Sequence, residues 1–163
     1  MKRYLLIVFL FLSTQLIAQD YWTQLNGPFG GSVVDLVVHS SGAAIAATSN
    51  NGLWRSTDQG GTWTKIAAGS DIFFTDLDID PSGNIYASAS IRIYKSTDGG
   101  ATFANLNSTG ITTSIRRIKA ASSTKIYLAL SNSNIFKSTN SARTRVGFPT
   151  GVAPCLQHLI RVQ

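Results

Sequence analysis

The chain has no glutamate: all eight acidic residues among its 163 are aspartates. This removes the distal carboxylate that a calcium-binding D-x-D-x-D-G loop requires, although Asp76-Leu77-Asp78-Ile79-Asp80 begins like one. Pro81 also stands where that loop needs glycine, so an acidic strand running into an Asp-Pro-Ser-Gly turn is the better reading. A single cysteine, Cys155, excludes an internal disulfide and leaves stability to packing. Two isolated histidines, His39 and His158, are too few to build a metal centre, and no metal or other cofactor is expected. The formal charge of +6 is not a nucleic-acid signature. Lys2, Arg3, Arg143, Arg145 and Arg161 lie at the two ends, and without these five the remainder carries only +1. No apolar run is long enough to span a bilayer, so no stable membrane span is expected.

The longest apolar run, Tyr4–Leu12, follows Lys2 and Arg3 and leads into the more polar Ser13–Ala18. Charge, apolar stretch and small-residue exit make residues 1–19 a secretory signal peptide, cut after Ala18 or Gln19. The expected location is extracellular, with the periplasm or cell surface as variants. No cysteine near the cut would take a lipid anchor.

Repetition dominates what is present. Ser56-Thr57-Asp58-Gln59-Gly60-Gly61-Thr62-Trp63 returns forty residues later as Ser96-Thr97-Asp98-Gly99-Gly100-Ala101-Thr102-Phe103. A third start, Lys137-Ser138-Thr139-Asn140, then loses the pattern. A period near forty marks a stacked supersecondary unit. Around the motif the unit is regular. Inner strands are expected at Val33–Val38, Thr75–Ile79 and Ile115–Ala120, and second strands at Ala44–Thr48, Ile85–Ala89 and Ile126–Leu130. Third strands follow at Leu53–Ser56, Ile93–Ser96 and Ile135–Ser138, each with an aromatic residue before a cation. Trp22–Leu25 matches the fourth strands beginning at Trp63 and Phe103, so residues 21–25 read as the last strand of a preceding or closing blade.

The pattern S-x-D-x-G-x-T-[WF] resembles the Asp-box, or BNR repeat, of sialidase-like, sortilin-like and Ycf48-like β-propellers, over about residues 21–140. The resemblance implies an all-β propeller of about three four-stranded antiparallel blades, incomplete or open. It also implies a structural role for Ser56, Asp58, Gly60, Thr62 and Trp63, and for Ser96, Asp98, Gly100, Thr102 and Phe103. The residue types agree: short polar side chains close turns, glycines accept positive φ, and the terminal aromatic anchors in the core.

Alternating strand directions place the motif loops on one face, with the turns after the inner strands. The opposite face carries the binding candidates Phe29, Asp71, Phe73, Arg92 and Asn132. Inner-strand residues Asp35, Asp76 and Arg117 correspond to one another and could line a channel. Solvated loop polars and a chance alignment are the plain alternative.

Two functions remain. One is a secreted, non-catalytic propeller module binding an unidentified protein or glycan, with self-association through an unpaired blade edge. The other is the N-terminal fragment of a sialidase-like or xyloglucanase-like glycoside hydrolase. The sialidase arrangement of a Tyr–Glu pair with dispersed arginines cannot be assembled without glutamate and with Arg116 and Arg117 adjacent. A two-aspartate hydrolase using Asp35 and Asp76 stays open. Residues 141–163 depart from the repeat, as a cap or as a truncated or frame-shifted end, and the second is preferred because propellers usually hold four to eight blades.

Overall fold

A computed structural model describes residues 22–67, 73–106, 108 and 110–140, and the backbone of 146–147. The signal-peptide segment and Asp71 lie outside the described residues, as does most of the 141–163 tail.

Among the described residues, twelve strands make three separate four-stranded antiparallel sheets, each in simple sequential order. The first blade is β1 (Val33–Val38), β2 (Ala44–Thr48), β3 (Leu53–Ser56) and β4 (Thr64–Ile66). The second is β5 (Asp76–Ile79), β6 (Ile85–Ala89), β7 (Arg92–Ser96) and β8 (Ala104–Leu106). The third is β9 (Ile115–Ala120), β10 (Ile126–Leu130), β11 (Ile135–Ser138) and β12 (Val146–Gly147). The repeat placed the first eleven within a residue or so. It did not anticipate β12, which pairs Lys137 with Val146 and Phe136 with Gly147 although the motif fails after Asn140.

Residues 22–28 form no strand, in contrast to the fourth-strand match. Trp22 is exposed, while Leu25 lies against Gly60 of the first motif loop. The match at 22–25 rests on side-chain types, whereas strand pairing needs a partner edge, and the preceding or closing blade that this strand was expected to complete is not among the described residues.

Packing follows the period of two along each strand. On β6, Ile85, Ala87 and Ala89 enter one apolar cluster with Ile45, Ala47 and Leu53 of the first blade. Tyr86, pointing the other way, joins Ile115, Ile118, Ile126 and Leu128 of the third. The strand is therefore buried throughout its length. Lys95 sits over the Tyr86 ring at 5.3 Å and Lys137 over Tyr127 at 5.8 Å. In the second and third blades the cation of the third strand thus covers the aromatic residue of the second strand.

Candidate functional site

The repeated loop is a closed hydrogen-bonded clasp. In the first copy the Ser56 hydroxyl donates to Asp58 Oδ1 at 2.8 Å and accepts the Gly60 N–H at 2.8 Å. Asp58 also receives the Thr62 N–H at 2.9 Å and the Thr62 hydroxyl at 2.7 Å. Thr62's hydroxyl and N–H, then Ser56, hold the Asp58 pKa down from 3.8 to about 2. The second copy repeats this: Ser96 donates to Asp98 at 2.7 Å and accepts Gly100 N–H at 2.9 Å. Thr102 lowers the Asp98 pKa to about 2. In the third start the Ser138 hydroxyl donates to Asn140 Oδ1 at 3.1 Å and accepts the Asn140 N–H at 3.4 Å. Both aspartates have their oxygens committed within their own loops.

The second repeated device joins neighbouring blades. Asp35 Oδ2 accepts the Leu77 N–H at 2.7 Å, and Asp76 Oδ2 accepts the Ile118 N–H at 2.7 Å. Asp78 Oδ2 takes the Ala120 N–H at 2.7 Å. The other oxygens are also used: Arg117 pairs with Asp76 Oδ1 at 2.7 Å and Lys119 with Asp78 Oδ1 at 2.9 Å. Burial raises the Asp76 pKa, against the opposing pull of the Ile118 N–H and Arg117, and the Asp35 charge adds to the rise. Asp78 raises the Lys119 pKa through its hydrogen bond. So Asp35, Asp76 and Arg117, which sequence spacing aligned, stand together across the blade boundaries. Asp78 and Lys119 were missed, although they follow the aligned Asp76 and Arg117 by two residues and therefore share their strand face.

Asp80, the last acid of the Asp76–Asp80 run, serves its turn. Burial would raise its pKa, but bonds from Asn84, Ser82 and Tyr86 outweigh that and lower it. Tyr86 donates to it at 3.1 Å, and burial raises the tyrosine pKa. Among the described residues no cluster of three or more His, Cys, Asp or Glu could hold a metal.

The opposite loops hold the remaining candidates. Phe29 and Phe73 are exposed, and the Phe29 carbonyl accepts a bond from Asn51 Nδ2. Lys65 in turn donates to Asn51 Oδ1 at 2.7 Å, and Trp54 Nε1 donates to the Asn51 carbonyl at 3.1 Å. Asn51 thus pins the Phe29 loop to the β2–β3 hairpin, a link that Asn51-Gly52 had signalled only as a turn. Arg92 opens β7 and Asn132 sits in the β10–β11 turn, both exposed. The structure brings Phe29 to Asn51 but shows no contact among Phe29, Phe73, Arg92 and Asn132. A cleft of about 250 Å³ lies elsewhere, bounded by Arg55, Thr57, Thr62 and Lys65 of the first blade and Ala101 of the second. Arg55 is tied across it to the Gly99 carbonyl at 3.0 Å.

Three blades linked through their inner strands have known counterparts. A structure of Ycf48 bound to D1 peptide matches with a TM-score of 0.63 at 18% identity, covering 77% of this chain and 41% of that one. Ycf48 from Cyanidioschyzon merolae matches at 0.67 and 15%, covering 77% and 39%. The GH74 xyloglucanase from Xanthomonas campestris matches at 0.60 and 18%, covering 76% and 23%. The chain is a β-propeller arc. It spans about two fifths of the Ycf48 chains and under a quarter of the xyloglucanase. No protein-family profile matches the sequence. No curated protein matches it either. Among the described residues no helix of this propeller arc is long and apolar enough to cross a membrane.

Proposed function

We propose that the chain is an exported, non-catalytic propeller module that binds a protein or glycan through the loop face carrying Phe29, Phe73, Arg92 and Asn132. The observation that carries this reading is the employment of the inner-strand carboxylates. A glycosidase needs two carboxyl groups free to meet the substrate, one to donate a proton and one to attack or to activate water. Asp35 and Asp76 each spend an oxygen on the next blade's backbone N–H, and Asp76 spends the other on Arg117. Exposed Phe29 and Phe73 are the kind of apolar surface from which binding sites are built. The similar Ycf48 propeller bound to D1 peptide supports a peptide as ligand. Export rests on the N-terminal sequence pattern.

The second reading, part of a glycoside hydrolase, is favoured by the likeness to the GH74 xyloglucanase and by the raised pKa of Asp76. Reducing-end release from xyloglucan by the purified chain separates the two. The binding-module reading expects no release above buffer, together with retention on immobilised glycans or peptides that weakens in Phe29→Ser and Phe73→Ser variants. Hydrolysis that vanishes in Asp76→Asn, while the β-sheet circular dichroism is unchanged, would overturn it.

A further inference from the structure

Asparagine followed by glycine is a chemically reactive pair, because no side chain hinders the glycine nitrogen as it approaches the asparagine amide. The sequence holds two such pairs, Asn26-Gly27 and Asn51-Gly52. Their surroundings are opposite. Asn26 is exposed ahead of β1, and a Cβ on Gly27 would meet nothing within 4 Å. Asn51 is half-buried at the β2–β3 hairpin, and both ends of its amide are bonded. Nδ2 donates to the Phe29 carbonyl, and Oδ1 accepts Lys65 Nζ at 2.7 Å. Among the described residues the Gly52 N–H has no hydrogen-bond partner, so no such bond opposes its attack.

The segment held by this amide is closely fitted. Ser49 N–H donates to the Ser32 carbonyl at 2.9 Å, so residues 29–32 lie along the hairpin. A Cβ on Gly30 would come within 2.9 Å of Asn51 Nδ2, and one on Gly31 within 3.3 Å of Asn51 Cβ. The third blade keeps the backbone part of the arrangement, with Ser131 N–H donating to the Ser114 carbonyl at 2.9 Å. It carries Ser133 where the first blade has Asn51, too short to reach as the amide does. The side-chain pin is a feature added to the first blade.

We propose that Asn51 is a deamidation site and that its conversion releases the Phe29 loop. The Gly52 nitrogen, giving its proton to a solvent base, attacks Asn51 Cγ. The Cγ–Nδ2 bond breaks and ammonia leaves. Water then opens the cyclic imide at either carbonyl, giving aspartate or an isoaspartate whose main chain runs through Cγ. In either product the NH2 donor is gone and a carboxylate has formed. Oxygen opposite the Phe29 carbonyl repels where the amide attracted, and Lys65 is at hand to hold the new charge away from the loop. The two amide bonds keep Cγ still in the folded chain, so they slow the reaction without abolishing it. The release needs no ligand at the Phe29 face.

The second Asn-Gly pair supplies an internal clock. The full chain is aged at mildly alkaline pH, native and in urea, and peptide mapping by mass spectrometry follows both pairs. In urea Asn26 and Asn51 should convert alike, whereas in the native chain Asn51 should lag behind Asn26 and still convert. Lys65→Met, which frees Oδ1, should speed Asn51 about fivefold, the worth of one net hydrogen bond, and leave Asn26 unchanged. Chymotrypsin reads the loop, since a protease needs opened backbone and not just an exposed ring. Cleavage after Phe29 should rise with the converted fraction and in Asn51→Asp, while cleavage after exposed Phe73 stays constant. If Asn51→Asp does not fold, the aged wild type carries the same test, because it was folded when the conversion took place. Asn51 left unconverted in both native wild type and Lys65→Met, after Asn26 has reacted fully, overturns the modification site. Cleavage after Phe29 that ignores the conversion overturns the release. So does cleavage rising equally after Phe29 and Phe73, which means general unfolding and not a freed loop.

Discussion

Asp76 Oδ2 accepts the backbone N–H of Ile118 at 2.7 Å, across the boundary between the second and third blades. Both residues are buried, so this bond replaces a water contact that neither group could regain in the folded chain. Asp76→Ala strands the Ile118 N–H and should destabilise the chain by about 1–3 kcal/mol in urea denaturation. Asp76→Asn keeps an oxygen acceptor and should cost less. The Arg117 partner, largely exposed, adds little by itself. Equal losses in the two variants would mean that the backbone bond is not the important part.

Acid should loosen the clasps in a defined window. Asp58 and Asp98 have folded pKa values of about 2, below the ordinary 3.8, so their contribution is full above about pH 4 to 5 and fades as pH falls toward 2. Asp76 acts in the opposite direction, since its raised pKa favours the protonated form in the folded chain and blunts the loss. Urea midpoints between pH 7 and 2 should fall in the wild type mainly below pH 4. In an Asp58→Asn, Asp98→Asn double variant the midpoint should start lower and change less. A wild-type midpoint flat down to pH 2 would contradict the clasp assignment.

Gly100 is constrained twice, by φ of +82° and by Ile45 Cγ1, which a Cβ there would approach to 2.5 Å. Gly42 has a similar φ of +86° with open space around it. Thermal unfolding should therefore separate the two alanine variants. Gly42→Ala carries strain alone, about 1 kcal/mol, and Gly100→Ala adds overpacking for a total of roughly 2 kcal/mol or more. Similar shifts would show that Ile45 yields freely.

Phe29 and Phe73 are exposed and support no core, so Phe29→Ser and Phe73→Ser should change stability by no more than about 0.5 kcal/mol. Loss of ligand retention at unchanged unfolding midpoint is the expected pairing of results. A large drop in midpoint would assign them to folding.

The strands and the clasp were legible because both are local. Alternation along Ile85–Ala89 and the Ser–Asp–Gly–Thr spacing need only neighbours within a few residues to explain them. The use of Asp35 and Asp76 was not legible, because their acceptor role depends on a backbone N–H 42 residues away, and a sequence does not show which strand lies opposite. β12 was missed for a related reason: its pairing with β11 is made by backbone groups, which leave no mark in side-chain types. The Asn51 link to the Phe29 carbonyl likewise joins residues 22 apart through a main-chain acceptor that any residue supplies.

The continuous burial of β6 has a mechanical meaning. Its two faces belong to two different apolar clusters, so the middle blade acts as a keystone gripped from both sides, while each outer blade is gripped from one. Cohesion in such a stack passes from neighbour to neighbour. Loosening then starts at the ends and moves inward, and the amides of Ile85–Ala89 become the last to exchange with solvent.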